Sequence, residues 1–230
     1  MTIKSALILA AGRGERMRPL TDTTPKPLLR IGGKRLIEHH LEKLAAAGVE
    51  RVVVNTSHLA EQFPLALGDG SRWGLSIGYS DEGPQPLETG GGMLRALPLL
   101  GSDPFIAISA DIVSDYDYAR LTDPAVLAPD AVAHLIMIPN PDFHPRGDYH
   151  LDGARLSESA PGERLTFGSF GVYRAALVED QPAGAFRLSP MYLRAMRAGR
   201  LTGERYAGFW RNLGTPEQLR ELERLHPDHL

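Results

Sequence analysis

An α/β fold, with a Rossmann-like mixed and mostly parallel sheet flanked by helices, is predicted by three features of the sequence. The first is an unbroken apolar run, Ala6 to Ala10, that ends at Gly12, as in a strand buried on both faces. The second is a similar run, Arg51 to Asn55. The third lies between them: from Leu36 to Ala47 the apolar residues Leu36, Ile37, Leu41, Leu44 and Ala45 recur at helical spacing, and Gly48 supplies a stop. Strand, helix, strand is a βαβ unit, which pairs its strands in parallel with a right-handed crossover. The alternation continues with a helix over Leu59–Leu67, a strand over Leu75–Ser80, a helix over Gly91–Leu99 and a strand over Phe105–Ser109.

After Asp111 the rhythm changes. Ala131–Ile138, Tyr149–Leu151, Ala154–Ser157 and Leu165–Tyr173 are strand-like and separated by Pro- and Gly-rich turns, which predicts hairpins in a mixed sheet. Ser189–Ala198 and Pro216–Leu225 read as helices, the second with Thr215 as N-cap, Pro216 at the first helical position and Glu217 in the first turn. No internal repeat is visible, and no hexapeptide β-helix pattern follows the core.

Composition excludes several function classes. The 230 residues are 43% hydrophobic and 23% charged, the balance of a folded domain rather than a disordered tail or coiled coil. Lys and Arg number 25 against 28 Asp and Glu, a net charge of −3 with both signs interspersed, so nothing marks a nucleic-acid or anionic-membrane surface. Cys is absent, which removes disulfides, thiolate catalysis and thiolate zinc sites and fits a reducing cytoplasm. Met1 reads as the start of the chain, because the apolar run before Gly12 is too brief for a signal peptide or a membrane span. The eight His residues include His39-His40 but show no H-E-x-x-H spacing, and Gly168-Ser-Phe-Gly171 is not a nucleophile elbow, since position 167 is Phe.

The most informative segment runs from Leu9 to Leu28, L-A-A-G-R-G-E-R-M-R-P-L-T-D-T-T-P-K-P-L. Gly12 and Gly14 allow a close approach to phosphates, and successive N–H groups there form an anion nest. Arg13, Arg16, Arg18 and Lys26 concentrate positive charge in a chain that is acidic overall. Two familiar phosphate loops do not fit. The P-loop string G-x-x-x-x-G-K-[ST] is absent, and G-x-G-x-x-G fails because its third glycine is Met17 and the second strand ends at Asn55 rather than an acid.

The whole segment resembles the signature of the sugar nucleotidyltransferases, L-A-A-G-x-G-x-R-[ML]-x-P-L-T-x-x-x-P-K-P-[LM], at nearly every fixed position. The resemblance implies a nucleoside triphosphate held by the backbone of Ala10, Ala11, Gly12, Arg13 and Gly14, with Arg16 on the triphosphate and Lys26 bridging the reacting phosphates. The chemistry suits these residues. A sugar 1-phosphate must approach a polyanionic triphosphate, so the barrier is electrostatic and positional and needs no protein nucleophile. Arg offers a fork for phosphate oxygens and Lys a compact charge.

Further strings extend the resemblance. Asp111 ends the Ser109-Ala-Asp strand terminus, where open α/β sheets bind ligands. By itself it reads more readily as a cap or turn residue, but the family places there an Asp that holds the catalytic magnesium, usually after Gly or Ser rather than Ala110. Trp210-Arg-Asn-Leu-Gly-Thr-Pro216 resembles W-x-D-x-G-T-P, whose Asp is the second metal ligand; here Asn212 stands in its place and brings an uncharged oxygen. Leu87-Glu-Thr-Gly-Gly-Gly92, a glycine-rich helix entry with Thr89 as cap, looks like the base-reading turn of the subgroup that joins UTP to N-acetylmuramic acid 1-phosphate. Glu82, Glu88, Thr89 and Gly90 then become candidates for uracil and ribose. Pro139 to Tyr149 resembles the same subgroup's N-P-x-x-H-x-x-G-D-[FY] stretch, which implies Gly147 against the sugar, Asn140 and Asp148 on its hydroxyls or acetamido group, and Ser169 facing it beside Gly168. One of Arg146, Arg164 and Arg187 is expected to pair with the lactyl carboxylate.

The resemblance thus implies a single domain over 1–230, with 1–112 as nucleotide-binding half and 113–230 as sugar-binding half. It implies a magnesium-dependent uridylyltransferase whose partners are UTP and a sugar 1-phosphate, as a monomer or small homo-oligomer. Two alternatives stay open at this point: another acceptor such as glucose, mannose or N-acetylglucosamine 1-phosphate or choline phosphate, and a nucleotide-binding relative without turnover.

Overall fold

The computed structural model describes residues 2–101, 104–159 and 161–225; Met1, read above as the start of the chain, lies outside them. The first apolar run forms β1 (Ser5–Leu9). A two-residue ribbon, β2 (Arg30–Ile31) with β3 (Lys34–Arg35), leads into α1 (Leu36–Ala46), whose first turn is closed by the Arg35 N–H donating to Glu38 Oε2 at 2.7 Å. β4 (Arg51–Thr56), α2 (Gln62–Leu67), β5 (Ser76–Asp81), α3 (Glu88–Leu100) and β6 (Phe105–Ser109) continue the alternation. α2 starts later than the Leu59 expected from periodicity, because Leu59 sits in the left-handed region at φ 53 and breaks the helical path.

β7 (Ile112–Ser114) leaves the main sheet, and the short α4 (Ala119–Thr122) precedes β8 (Ala133–Ile138). The hairpin of β9 (Tyr149–Asp152) and β10 (Arg155–Ser157) returns into the long β11 (Glu163–Tyr173). α5 (Ser189–Arg197) is followed by β12 (Leu201–Arg205), a strand that apolar alternation does not mark. β13 (Trp210–Asn212) pairs with β7, and α6 (Pro216–Leu225) carries the expected Thr215 cap, whose Oγ1 accepts the Gln218 N–H at 3.3 Å.

One nine-stranded sheet runs in the order β5-β4-β1-β6-β11-β8-β12-β10-β9. Its first four strands are all parallel, as the βαβ unit predicts. Beyond β6 the pairs are antiparallel except β8 with β12, so the parallel order belongs to the first half and the hairpins to the second. Period-2 alternation divides the core between the faces. Ala6, Ile8, Val52, Val54, Ile106 and Ile108 pack with α1 and α2, whereas Leu7, Val53, Phe105 and Ala107 pack with α3 and α5. Each Val, Leu, Ile or Phe side chain among them, fully buried, contributes roughly 1.5–3 kcal/mol. The register aligns Leu9 with both Asn55 and Ser109, which brings the ends of β1, β4 and β6 to one level. Among the described residues no helix is long and apolar enough to cross a membrane.

Candidate active site

The chain leaves β1 through the glycine loop at the carboxyl edge of the sheet. Gly14 has φ 63, and a Cβ there would lie 3.0 Å from Thr21 Cγ2 and 3.1 Å from Lys26 Cβ, so both conformation and space demand glycine. The Thr21 hydroxyl and the Met17 N–H both donate to the Gly14 carbonyl, at 2.9 and 2.8 Å. Gly12 is different: a Cβ there would meet no protein atom within 4 Å. Packing does not require that glycine, which leaves close approach by a ligand as its reason.

Lys26 stands between Pro25 and Pro27 in a single 3-10 turn, buried but for its tip. Its Nζ donates to Asp111 Oδ2 at 2.7 Å, and the Ser109 hydroxyl donates to Asp111 Oδ1 at 2.6 Å. Burial pushes the Asp111 carboxyl up, but the Lys26 ammonium and the Ser109 hydroxyl outweigh it and hold the group below its ordinary range. Arg16 is exposed and, among the described residues, has no hydrogen-bond or ion-pair partner; a Cβ on Gly214 would lie 3.0 Å from its Nη2. The β7–β13 ribbon brings Gly214 here, because the Leu213 N–H donates to the Asp111 carbonyl at 2.8 Å.

These groups share a cleft of about 670 Å³ whose wall includes Ala10, Ala11, Gly12, Arg13, Gly14, Arg16, Lys26 and Asp111. Glu82, Glu88 and Thr89 line its other end. Eleven residues singled out from the sequence thus meet in one place. Gly90 does not line it; its N–H donates to the Phe186 carbonyl at 2.9 Å. Glu82 is 7% exposed with both carboxylate oxygens engaged, by Asn55 Nδ2 and by the Leu87 N–H, each at 2.6 Å. Burial raises its pKa against the pull of those bonds.

The helix expected from Gly91 with Thr89 as cap begins instead at Glu88. Thr89 lies inside the first turn, and its Oγ1 accepts the Leu188 N–H at 3.3 Å. The reason is tertiary: segment 184–188 packs on this turn. A Cβ on Gly90 would strike Phe186, one on Gly91 the Gly184 carbonyl, and one on Gly92 the Glu82 carboxylate. The triple glycine therefore answers three separate close approaches. Arg187 Nε lies 3.5 Å from Glu88 Oε2 at the cleft rim.

The residues expected on the acceptor side lie apart from this cleft wall. Asn140 Nδ2 donates to the Arg164 carbonyl at 3.0 Å, and its Oδ1 accepts the Thr166 hydroxyl at 2.9 Å. Asp148 Oδ2 accepts the Phe167 N–H at 2.8 Å, and Oδ1 is 3.0 Å from His144 Nε2. Gly147 turns the loop at φ 59, and its missing Cβ makes room for Asn140. Ser169 has φ 66 inside the register shift of β11 between Phe167 and Gly171, where the Trp210 indole N–H reaches the Gly168 carbonyl at 2.9 Å. Asn212 pairs with Ile112 across the ribbon and lines a neighbouring hollow of about 410 Å³ between residues 141–143 and α6.

Among the described residues no three His, Asp or Glu side chains gather as a metal cage. The donor set at Asp111 still fits magnesium, which characteristically takes one or two carboxylates and completes its shell with phosphate and water. Two contributors carry no motif signal of their own: Asn55 and Phe186. In the sequence Asn55 stands out only as the residue that breaks a dinucleotide fingerprint, yet its Oδ1 accepts the Ala10 N–H at 2.6 Å. A polar residue closing an otherwise apolar parallel strand is the signal that could have found it.

The chain is similar to known proteins over nearly its whole length. The chain is 44% identical over 224 residues, 96% of its length and 97% of the relative's, to an N-acetylmuramate alpha-1-phosphate uridylyltransferase from Neisseria meningitidis serogroup B. A protein of the same name from Caulobacter vibrioides is 35% identical over 225 residues, 93% of each chain. The structure of HddC from Yersinia pseudotuberculosis complexed with GMP-PN shares the fold at TM-score 0.78 and 20% identity, covering 96% of this chain and 99% of that one. The nucleotidyl transferase family model matches residues 5–147, which span β1, the glycine loop, Lys26 and Asp111. The chain belongs to the nucleotidyl transferase family.

Proposed function

We propose that this protein transfers UMP from UTP to N-acetylmuramic acid 1-phosphate, forming UDP-N-acetylmuramic acid and pyrophosphate, a step of cell-wall recycling. The observation that carries the reading is end-to-end similarity, 44% over 96% of the chain, to an N-acetylmuramate alpha-1-phosphate uridylyltransferase. The cleft supports the reaction class. An oxygen of the sugar phosphate attacks the α-phosphorus of UTP in line, the bond to the bridging oxygen breaks, and that electron pair leaves with pyrophosphate. Lys26, fixed between two prolines, exchanges Asp111 for the reacting phosphates and neutralises their charge. Arg16, free of partners among the described residues, swings onto the leaving pyrophosphate. The loop N–H groups from Ala11 to Gly14 orient the triphosphate. Asp111 would hold magnesium, which when bound screens the repulsion between the two phosphates, whereas Asn212 lines the neighbouring hollow and not the cleft. Glu88 and Thr89 border the nucleoside end, and the Asn140–Asp148 loop with Ser169 shapes the acceptor end. The reading places the reaction in the cytoplasm, where nucleoside triphosphates are made, by a monomer or small homo-oligomer.

The test is pyrophosphate release from UTP, magnesium and N-acetylmuramic acid 1-phosphate, beside N-acetylglucosamine 1-phosphate and a Lys26→Ala control. Release specific to the muramic sugar and lost in the control supports the reading. Equal or faster release with N-acetylglucosamine 1-phosphate sinks the acceptor assignment.

A further inference from the structure

The floor of the cleft contains a chain of hydrogen bonds centred on Asn55, a residue to which no substrate role is given. Asn55, 3% exposed near the end of β4, accepts the Ala10 N–H on Oδ1 at 2.6 Å and donates through Nδ2 to Glu82 Oε1 at 2.6 Å. Glu82 Oε2 in turn accepts the Leu87 N–H at 2.6 Å. The amide has one allowed orientation, because its oxygen must meet an N–H and its nitrogen a carboxylate. Both Glu82 bonds are short and charge-assisted, and the two bonds of Asn55 are buried, where an unmade bond is costly. Gly92 leaves room for it, since a Cβ there would strike both Glu82 and Asn55.

The two ends of this chain belong to different tasks. Ala10 opens the glycine loop, whereas Leu87 immediately precedes Glu88 and Thr89 at the nucleoside end of the cleft. We propose that Asn55 is a positioning residue that locks the glycine loop to the base-side turn through Glu82, so that the base of a bound nucleotide sets the position of its α-phosphate. The inference rests on the reading of the cleft as a nucleoside triphosphate site. At position 55 an Asp would set carboxylate against carboxylate, and an apolar residue would leave the Ala10 N–H and a Glu82 oxygen unpaired. A base that displaces the Leu87 turn therefore drags Ala10 with it, and misplacement near the reacting atoms by about 1 Å costs about 100-fold in rate.

The experiment compares the full-length wild type with Asn55→Ala and Gly92→Ala. It measures kcat and KM with UTP and CTP, affinity for UTP, CTP and inorganic tripolyphosphate by calorimetry, and melting temperature. Gly92→Ala keeps the Asn55 side chain and suits a helix, but its Cβ crowds the Asn55–Glu82 bond itself, so it perturbs the chain independently and decides the matter if Asn55→Ala does not fold. The expected result is a wild type that favours UTP in kcat, and variants in which kcat with UTP falls about 10- to 100-fold. In the variants the UTP:CTP ratio moves toward one, while tripolyphosphate affinity stays within about threefold of wild type. A lower melting temperature with an unchanged UTP:CTP ratio overturns the proposal, as does a loss shared equally by both nucleotides. If the wild type binds UTP but does not use N-acetylmuramic acid 1-phosphate, the acceptor assignment fails, and the UTP:CTP affinity ratio, which Asn55→Ala must shrink, still decides Asn55. A wild type that binds neither nucleotide overturns both.

Discussion

At the phosphate end of the cleft, Arg16 and Lys26 from the Leu9–Leu28 segment and Asp111 from beyond the end of β6 line one space. In the acceptor loop, Asn140 and Asp148 direct their polar groups into the loop itself, onto the Arg164 carbonyl, the Thr166 hydroxyl and the Phe167 N–H. The difference follows from what each end must hold. A polyphosphate is recognised by charge and by N–H groups aimed at it, so its side chains are useful when held in reserve or paired with each other. A sugar is recognised by shape, and a loop that shapes a pocket must first tie its own backbone down.

Breaking the phosphate end should have the largest effect. Lys26→Ala is expected to lower kcat/KM by about 100- to 1,000-fold, the scale for losing one preorganised charge at a developing transition state. Steady-state kinetics check this, and a loss under tenfold would remove Lys26 from the chemistry.

Acid should destabilise the fold through His40, which α1 buries with Nδ1 2.9 Å from the Tyr118 hydroxyl. Burial pushes its pKa from 6.5 down to about 4, so the folded protein holds the ring neutral while the unfolded chain takes up a proton. Stability is therefore full above pH ~6.5 and falls toward pH ~4, by about 3 kcal/mol in all. Urea unfolding at pH 7, 5.5 and 4.5 measures it. His40→Leu should flatten the profile, and an unaltered slope would refute the assignment.

Gly14→Ala sharpens the comparison further, since its Cβ would crowd Lys26 from a left-handed backbone. We expect about 1–2 kcal/mol of lost stability and about a tenfold fall in kcat. Undiminished kcat at a lower melting temperature would mean that Lys26 tolerates the displacement.

At the acceptor end, Asn140→Ala or Asp148→Ala should raise KM for the sugar phosphate by about tenfold, as loss of one or two loop hydrogen bonds implies, with KM for UTP unchanged. A matching rise in both KM values would show that the two ends are not separate. The smallest effect belongs to Arg187→Ala. Its ion pair with Glu88 is exposed, so stability should hold within about 0.5 kcal/mol, while the preference for the muramic over the N-acetylglucosamine phosphate narrows severalfold. An unchanged preference would pass the carboxylate to Arg146 or Arg164.

Some elements are legible in local pattern alone. Phe105–Ser109 and Pro216–Leu225 occupy the positions that alternation and capping chemistry predict, because strand period and N-cap pairing are local properties. The glycine loop is legible for the same reason: its contacts, such as Thr21 to the Gly14 carbonyl, lie within a few residues. β12 is not, since Leu-Thr-Gly-Glu-Arg owes its strand to the neighbours that flank it, β8 and β10. The start of α3 departs from its local pattern because Phe186, almost a hundred residues on, occupies the space that glycine leaves.

Local pattern thus determined the fold class, the phosphate loop and the kind of charge it presents, since a contiguous segment carries its own turns and charges wherever it is placed. Tertiary structure alone decided that Lys26 meets Asp111 across 85 residues, that Asn55 joins the loop to Glu82, and that Asn140 and Asp148 brace a loop. Those outcomes depend on sheet register and on the burial of hydrogen-bonding groups. Neither quantity exists until distant strands have paired.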